Sequence, residues 1–221
     1  MTGKHDIKVA ITGGIGSGKS YVCSVLKNMG VEVFDCDRSA KKLMRHDNGI
    51  KAQLTRLIGE DTYIGGQLNK AAVAAFMMKS EDNTASVNAI VHPAVARDFI
   101  ASKLQWMECA ILFESGFDQY VDKVVCVTAP EDVRIQRVMR RDNISRQKVL
   151  EWIGKQMPQA EVLKKSDFEI INDGKANVEA QLREIIKLTQ VSHPILFEIG
   201  GVIRLPSHRR GGDGGGVNQQ A

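Results

Sequence analysis

Residues 13–20 read Gly-Gly-Ile-Gly-Ser-Gly-Lys-Ser, and no other stretch restricts the chain so closely. Gly13, Gly14, Gly16 and Gly18 let successive backbone amides turn inward with no side chain in the way, which makes a nest for an anion. Before the stretch lies a short apolar run, Ile7 to Ile11. After it Val22, Val25, Leu26 and Met29 recur at helical spacing until Gly30 supplies a stop. Strand, glycine loop and helix in this order predict an anion held at a helix N-terminus. Within that frame Lys19 brings positive charge to β- and γ-phosphates and Ser20 offers a hydroxyl to Mg²⁺. The amides of Ser20 and Tyr21 open the helix, and Ile15 and Ser17 complete the loop.

The spacing points to ATP with Mg²⁺ as the donor and disfavours a dinucleotide, because Lys19 occupies the place of the third glycine in G-x-G-x-x-G. It does not name a reaction, since GTPases, motor ATPases and small-molecule kinases share such loops. The acceptor has to be read elsewhere.

Further apolar runs at Val31–Phe34, Cys109–Phe113, Val124–Val127 and Phe168–Ile171 read as buried strands between helical segments, a pattern that predicts a parallel sheet. More than seventy residues separate the second run from the third. They are mostly helical in pattern and too many for a simple crossover, so an inserted helical subdomain that holds the acceptor is expected there. Val178, Leu182, Ile185, Ile186 and Thr189 share one face of a last helix. The remainder, 191–221, carries Pro194, Pro206 and a glycine-rich run from Gly211 to Gly216, and reads as a flexible tail.

Asp35 and Asp37 follow the second apolar run, and period-two geometry would put both on one face beside the γ-phosphate, where one can accept a hydroxyl proton. An isolated D-x-D also serves as a plain turn at a strand end. Glu114 closes the run Cys109–Phe113, where a carboxylate can hold the hydration shell of Mg²⁺ or simply cap a helix. Arg134, Arg137 and Arg141 follow Pro130-Glu131-Asp132 at spacings of three and four. That places them on one helix face, either to clamp a phosphate or to complement the helix dipole.

With these residues in place the chain resembles the dephospho-coenzyme A kinase family. The motifs that carry the resemblance are T-G-G-I-G-S-G-K-S at 12–20, V-F-D-C-D at 33–37, N-A-I-V-H-P at 88–93 and I-L-F-E-S-G at 111–116. Q-R-V-M-R-R-D at 136–142, K-Q-M-P at 155–158 and I-I-N-D-G at 170–174 follow in order. The resemblance spans roughly 7–190. It implies a P-loop kinase core with a parallel sheet flanked by helices, an inserted helical acceptor-binding subdomain and a helical lid. It also implies ATP-dependent phosphorylation of the ribose 3′-hydroxyl of dephospho-coenzyme A. The corresponding organisation is a domain over 5–190, with core segments 5–37, 105–136 and 166–190, an acceptor-binding insertion at about 38–104 and a lid at about 137–165.

By position the resemblance implies Asp37 as general base, with Asp35 orienting beside it. Lys41 and His92 fall on the acceptor side, and Arg137 and Arg141 are lid arginines that join Lys19 in stabilising the transferring group. Gln156 lies in the lid-side Q-x-P pattern. Asn172, Asp173 and Gly174 match a loop near the adenine. Tyr21 stands where the family usually has Thr, and Ala110 where Pro is common. The other readings left open are a P-loop kinase of another small acceptor, such as a nucleoside monophosphate or a sugar acid, and a non-catalytic nucleotide switch.

Composition bounds the rest. The net charge of +4 suits an anionic substrate but lacks the dense basic stripe of a nucleic-acid binder. Four scattered cysteines without a C-x-x-C pair suit a reducing compartment. The absence of an apolar leader or a long apolar stretch leaves the cytoplasm as the expected location, with no membrane partner and a monomer or small homo-oligomer.

Overall fold

All four residues of the first strand, β1 (Val9–Thr12), are buried. A strand covered on both faces belongs in the interior of a parallel sheet packed between helices, and β1 lies there. The computed structural model describes residues 7–190; residues 5 and 6 and the tail 191–221 lie outside the described residues. After β1 come α1 (Lys19–Asn28), β2 (Val33–Asp35), α2 (Cys36–His46) and α3 (Asn48–Ile58). A hairpin of β3 (Tyr63–Ile64) and β4 (Gln67–Leu68) precedes α4 (Lys70–Met77) and the long α5 (Glu81–Ser102). The chain continues through β5 (Trp106–Glu108), β6 (Lys123–Thr128), α6 (Glu131–Asp142), α7 (Arg146–Gly154), α8 (Gln159–Lys164), β7 (Phe168–Ile171) and α9 (Val178–Gln190).

The main sheet has five parallel strands in the order β2-β5-β1-β6-β7. Alternate residues serve opposite faces, as strand geometry requires. Ala10, Met107 and Val124 join Phe34 in a core completed by Val87, Val91, Val95 and Phe99 of α5 and Ile50 and Leu54 of α3. Val9, Ile11, Val125 and Val127 face the other way, onto Val22 and Leu26 of α1 and Val178, Leu182 and Ile185 of α9. Each fully buried aliphatic side chain contributes about 1.5–3 kcal/mol relative to exposure, so the two faces together define the order of the strands.

Local chemistry fixes where the helices begin. Asp35 caps α2 by accepting from the Arg38 amide, Asp47 caps α3 through Ile50, Ser80 caps α5 through Asn83, and Ser145 caps α7 through Lys148. By contrast α1 begins at Gly18, in the left-handed region at φ 96°, with no capping side chain, so its first amides remain directed at the loop.

Two strands differ from the sequence reading. The second runs over Val33–Asp35, because Val31 still donates to Leu26 O at the end of α1 and Gly30 turns the chain at φ 82°. The third is Trp106–Glu108, three residues ahead of the expected run Cys109–Phe113. Cys109 makes one last bond to Ile11 O. The chain then winds into turns closed by Ser115 to Ile111 O and Phe117 to Leu112 O, which bury Leu112 and expose Ile111. A short apolar run is buried equally well by a turn or a strand, so periodicity alone could not separate them.

The region between β2 and β5 is helical as expected, with the small β3–β4 hairpin added. It shares a core with the sheet through α5. His92-Pro93 lies in the middle of α5 and not at a loop.

Candidate active site

The loop Gly13–Gly18 leaves the carboxyl end of β1, in the crevice where open parallel sheets bind ligands. Its glycines are there for contact as well as conformation. A Cβ on Gly18 would lie 2.0 Å from Asn172 Nδ2, and one on Gly13 would lie 2.4 Å from Val127 O, both at positive φ. The Lys19 ammonium folds back on the loop, donating to Gly13 O at 2.7 Å and Gly14 O at 3.4 Å. Burial lowers its pKa, and the nearby Glu108 carboxylate opposes that shift. Ser17 is fully buried and its Oγ has no hydrogen-bond partner, whereas Ser20 and Tyr21 are exposed at the open start of α1.

Four side chains from outside the loop support it. Asn172 Nδ2 donates to Ser17 O at 2.8 Å and the residue is buried, so its amide faces the loop backbone. Arg134 Nε donates to Ile15 O at 2.9 Å, and Arg137 Nη1 reaches Gly16 O and Ser17 O at 3.4 and 3.3 Å. Gln156 Oε1 accepts from the Ile15 amide at 2.7 Å. Gly174, at φ 88°, follows Asp173, whose Oδ1 accepts from the Lys175 and Ala176 amides and is held below the ordinary carboxylate pKa by them.

The α6 arginines divide. Arg134 and Arg137 reach the loop, but Arg141 turns out to solvent in a two-bond fork onto Asp142. Sharing a helix face was correct as geometry, but seven residues carry Arg141 two turns beyond the loop.

Asp35 and Asp37 do not lie two apart along a strand. Asp35 ends β2 and caps α2, and Asp37 belongs to the first turn of α2, where its carboxylate pairs with Lys41 one turn on. Both are exposed. The register places Glu108 opposite Asp35 on one side and Ile11 on the other. Burial raises the Glu108 pKa, Lys19 opposes that shift, and Asp35 and Asp37 add to it. Three carboxylates and the loop lysine therefore gather at the carboxyl end of the sheet.

Glu114 does not take the position expected of it. It lies in the turns after β5, six residues past Glu108, and its Oε1 accepts from the Met157 amide. Glu108 is the acid that ends this strand. The sequence reading missed it because it placed the strand three residues late, although W-M-E after a helix end was the available signal.

His92, half-buried in α5, meets Phe117 edge-on at 5.6 Å, and burial lowers its pKa. Among the described residues no group of three His, Cys, Asp or Glu side chains forms a metal cage. Mg²⁺ in phosphate-loop sites takes few protein ligands and fills its shell with water and substrate phosphates, so the exposed Ser20 hydroxyl with Glu108 nearby fits such an ion. Also among the described residues, no helix is long and apolar enough to cross a membrane.

Comparison with known proteins agrees with this geometry. Residues 7–178 match the family model described as Dephospho-CoA kinase. The dephospho-CoA kinase of Bacteroides fragilis is 41% identical over 191 residues, covering 81% of this chain and 91% of the relative. A crystal structure of a Thermus thermophilus protein is 30% identical with a TM-score of 0.75, over 86% of this chain and all of the other. The fold is also that of a dephospho-CoA kinase from Campylobacter jejuni, at a TM-score of 0.60 and 18% identity over 83% of this chain and 97% of the other.

Proposed function

The chain belongs to the dephospho-CoA kinase family, and on that premise we propose that it transfers the γ-phosphoryl group of ATP to the ribose 3′-hydroxyl of dephospho-coenzyme A, giving coenzyme A and ADP. The observation that carries the reading to particular atoms is the meeting of the Lys19 loop with Asp35, Asp37 and Glu108 at the carboxyl end of the sheet. A nucleotide switch needs the loop alone; an exposed carboxylate beside it suits an acceptor hydroxyl.

In this reading the amides of Gly16 to Tyr21 and the Lys19 ammonium hold the β- and γ-phosphates. Asp37, on the rigid first turn of α2, orients the ribose hydroxyl and takes its proton, while Asp35 fixes the start of that helix. Lys41 pairs with Asp37 until the acceptor arrives and then turns to its phosphates. His92 lines the acceptor side from α5. Mg²⁺, when bound, supplies charge neutralisation between the β- and γ-phosphates, with the Ser20 hydroxyl and, through water, Glu108 as its protein partners. Arg137 is in place to meet the γ-phosphoryl group, and Arg141 joins it on leaving Asp142. Gly174 and its loop border the adenine, with Asn172 acting through the loop backbone.

The acceptor region corresponds to the insertion at about 38–104, and the lid to about 137–165, within a domain of 5–190. Lid closure keeps water from the γ-phosphoryl group, which would otherwise be lost to hydrolysis. The cytoplasm is the location proposed, where both substrates and a reducing environment coincide. The test is an acceptor panel: ADP release from MgATP with dephospho-coenzyme A, with a nucleoside monophosphate and with a sugar acid. Release with dephospho-coenzyme A alone supports the reading, and release with another acceptor alone refutes it.

A further inference from the structure

Ile15, at the tip of the phosphate loop, is gripped at three points. Its amide donates to Gln156 Oε1 at 2.7 Å, its carbonyl accepts from Arg134 Nε at 2.9 Å, and its side chain packs against the cluster of Ile135, Val138 and Val149. Every partner lies between α6 and the connection from α7 to α8, and none lies in the sheet. The tip of the loop is therefore held from α6 and from the connection between α7 and α8, while Asn172 holds its far end at Ser17.

Arg134 is an unusual support. Its side chain is buried, and no carboxylate lies within ion-pairing distance of it among the described residues; burial lowers its pKa, and the exposed Glu131 one turn earlier opposes that shift. A buried guanidinium without a carboxylate is costly unless it does something a neutral side chain would not. Its Nη2 lies where a Cβ on Gly14 would come within 2.5 Å, and its own carbonyl lies as close beneath Gly16. It thus fills the underside of the loop and places a positive charge behind the amides that face the phosphates.

We propose that Arg134 and Gln156 are positioning residues for the phosphoryl donor: together they fix the two peptide units that flank Ile15, and through them the amides that follow. The inference rests on the kinase reading above. Neither side chain touches the acceptor region, so their effect falls on ATP and not on dephospho-coenzyme A.

Steady-state kinetics of the full chain test it with Arg134→Met, Arg134→Lys, Gln156→Met and the Arg134/Gln156 double Met variant. Each single Met variant raises the KM for ATP about 10-fold, the loss of one charge-assisted or part-buried hydrogen bond, with the KM for dephospho-coenzyme A within about twofold. Arg134→Lys keeps the charge and recovers part of the loss. Because both residues act on the peptide units either side of Ile15, the double variant is less impaired than the product of the two single effects. Melting temperatures accompany every variant. Folded variants with the parent's KM for ATP, equal changes in both KM values, or strictly multiplicative effects would overturn the proposal. Gln156 is only partly buried, so Gln156→Met supplies the answer if Arg134→Met fails to fold. A parent enzyme that turns over neither substrate would instead refute the kinase reading.

Discussion

Asp35 and Glu108 are register partners at the carboxyl ends of the neighbouring parallel strands β2 and β5. Glu108 also pairs in register with Ile11, two residues before the phosphate loop, so one half-buried acid links the loop strand to the strand that ends at Asp35. Glu108→Gln therefore lowers kcat about 100-fold at saturating substrates and raises the Mg²⁺ concentration needed for half-maximal rate. Glu114→Gln, which alters the contact to the Met157 amide, changes kcat less than about threefold. A Mg²⁺ titration of both variants decides between the two acids.

The same residue predicts a stability effect. Glu108 has its pKa raised in the folded protein, mainly by burial, so the fold binds this proton more tightly than the unfolded chain does. Its ionisation costs stability as pH rises from the unfolded carboxylate pKa through the folded one, and none below both. Without nucleotide, Glu108→Gln melts above the parent at pH 7, and the gain disappears near pH 4. Thermal melts at the two pH values check the sign; a lower melting temperature at pH 7 would contradict it.

Asp37 and Lys41 form an exposed pair one helical turn apart, a contact that adds little to stability. Asp37→Asn should therefore leave the melting temperature within about 1 °C of the parent and ATP binding unchanged, yet reduce turnover by about 100- to 10,000-fold, the range expected for a lost general base. Calorimetric ATP titration beside an initial-rate assay separates the two effects.

Beneath the loop, Asn172 donates to the Ser17 carbonyl, and its side chain is buried. Asn172→Ala strands that carbonyl at a cost of about 1–3 kcal/mol. At about 2–4 °C per kcal/mol for a chain of this size, the melting point falls by several degrees, and ATP binding weakens with it. A variant that loses ATP binding without any loss of stability would show that Asn172 contacts the nucleotide directly.

Much of this site could be read from the sequence because glycine spacing encodes backbone geometry directly. Gly13, Gly16 and Gly18 have the positive φ values that their loop demands, and Lys19 and Ser20 follow at the start of α1. The five-stranded parallel sheet follows from the apolar runs. Contacts between segments distant in sequence were not legible. Nothing around Gln156 signals that its side chain meets an amide 141 residues earlier. Arg134 and Arg141 look alike as members of one helix face, yet one is buried under the loop and the other pairs with Asp142 in solvent. Glu108 was missed for a local reason, since Cys109–Phe113 is apolar enough to be a strand but winds into turns that bury Cys109 and Leu112 and expose Ile111.

If Asp37 is the general base, the γ-phosphoryl group leaves ATP only for an acceptor hydroxyl beside it, and phosphate transfer is coupled to ATP consumption. The most direct measurement mixes the purified protein with MgATP and dephospho-coenzyme A and follows ADP and coenzyme A together by mass spectrometry. The account predicts equal amounts of the two products, with coenzyme A formation lost in Asp37→Asn. Folded, ATP-binding protein that yields no coenzyme A, or that releases ADP in large excess over it, would contradict the account.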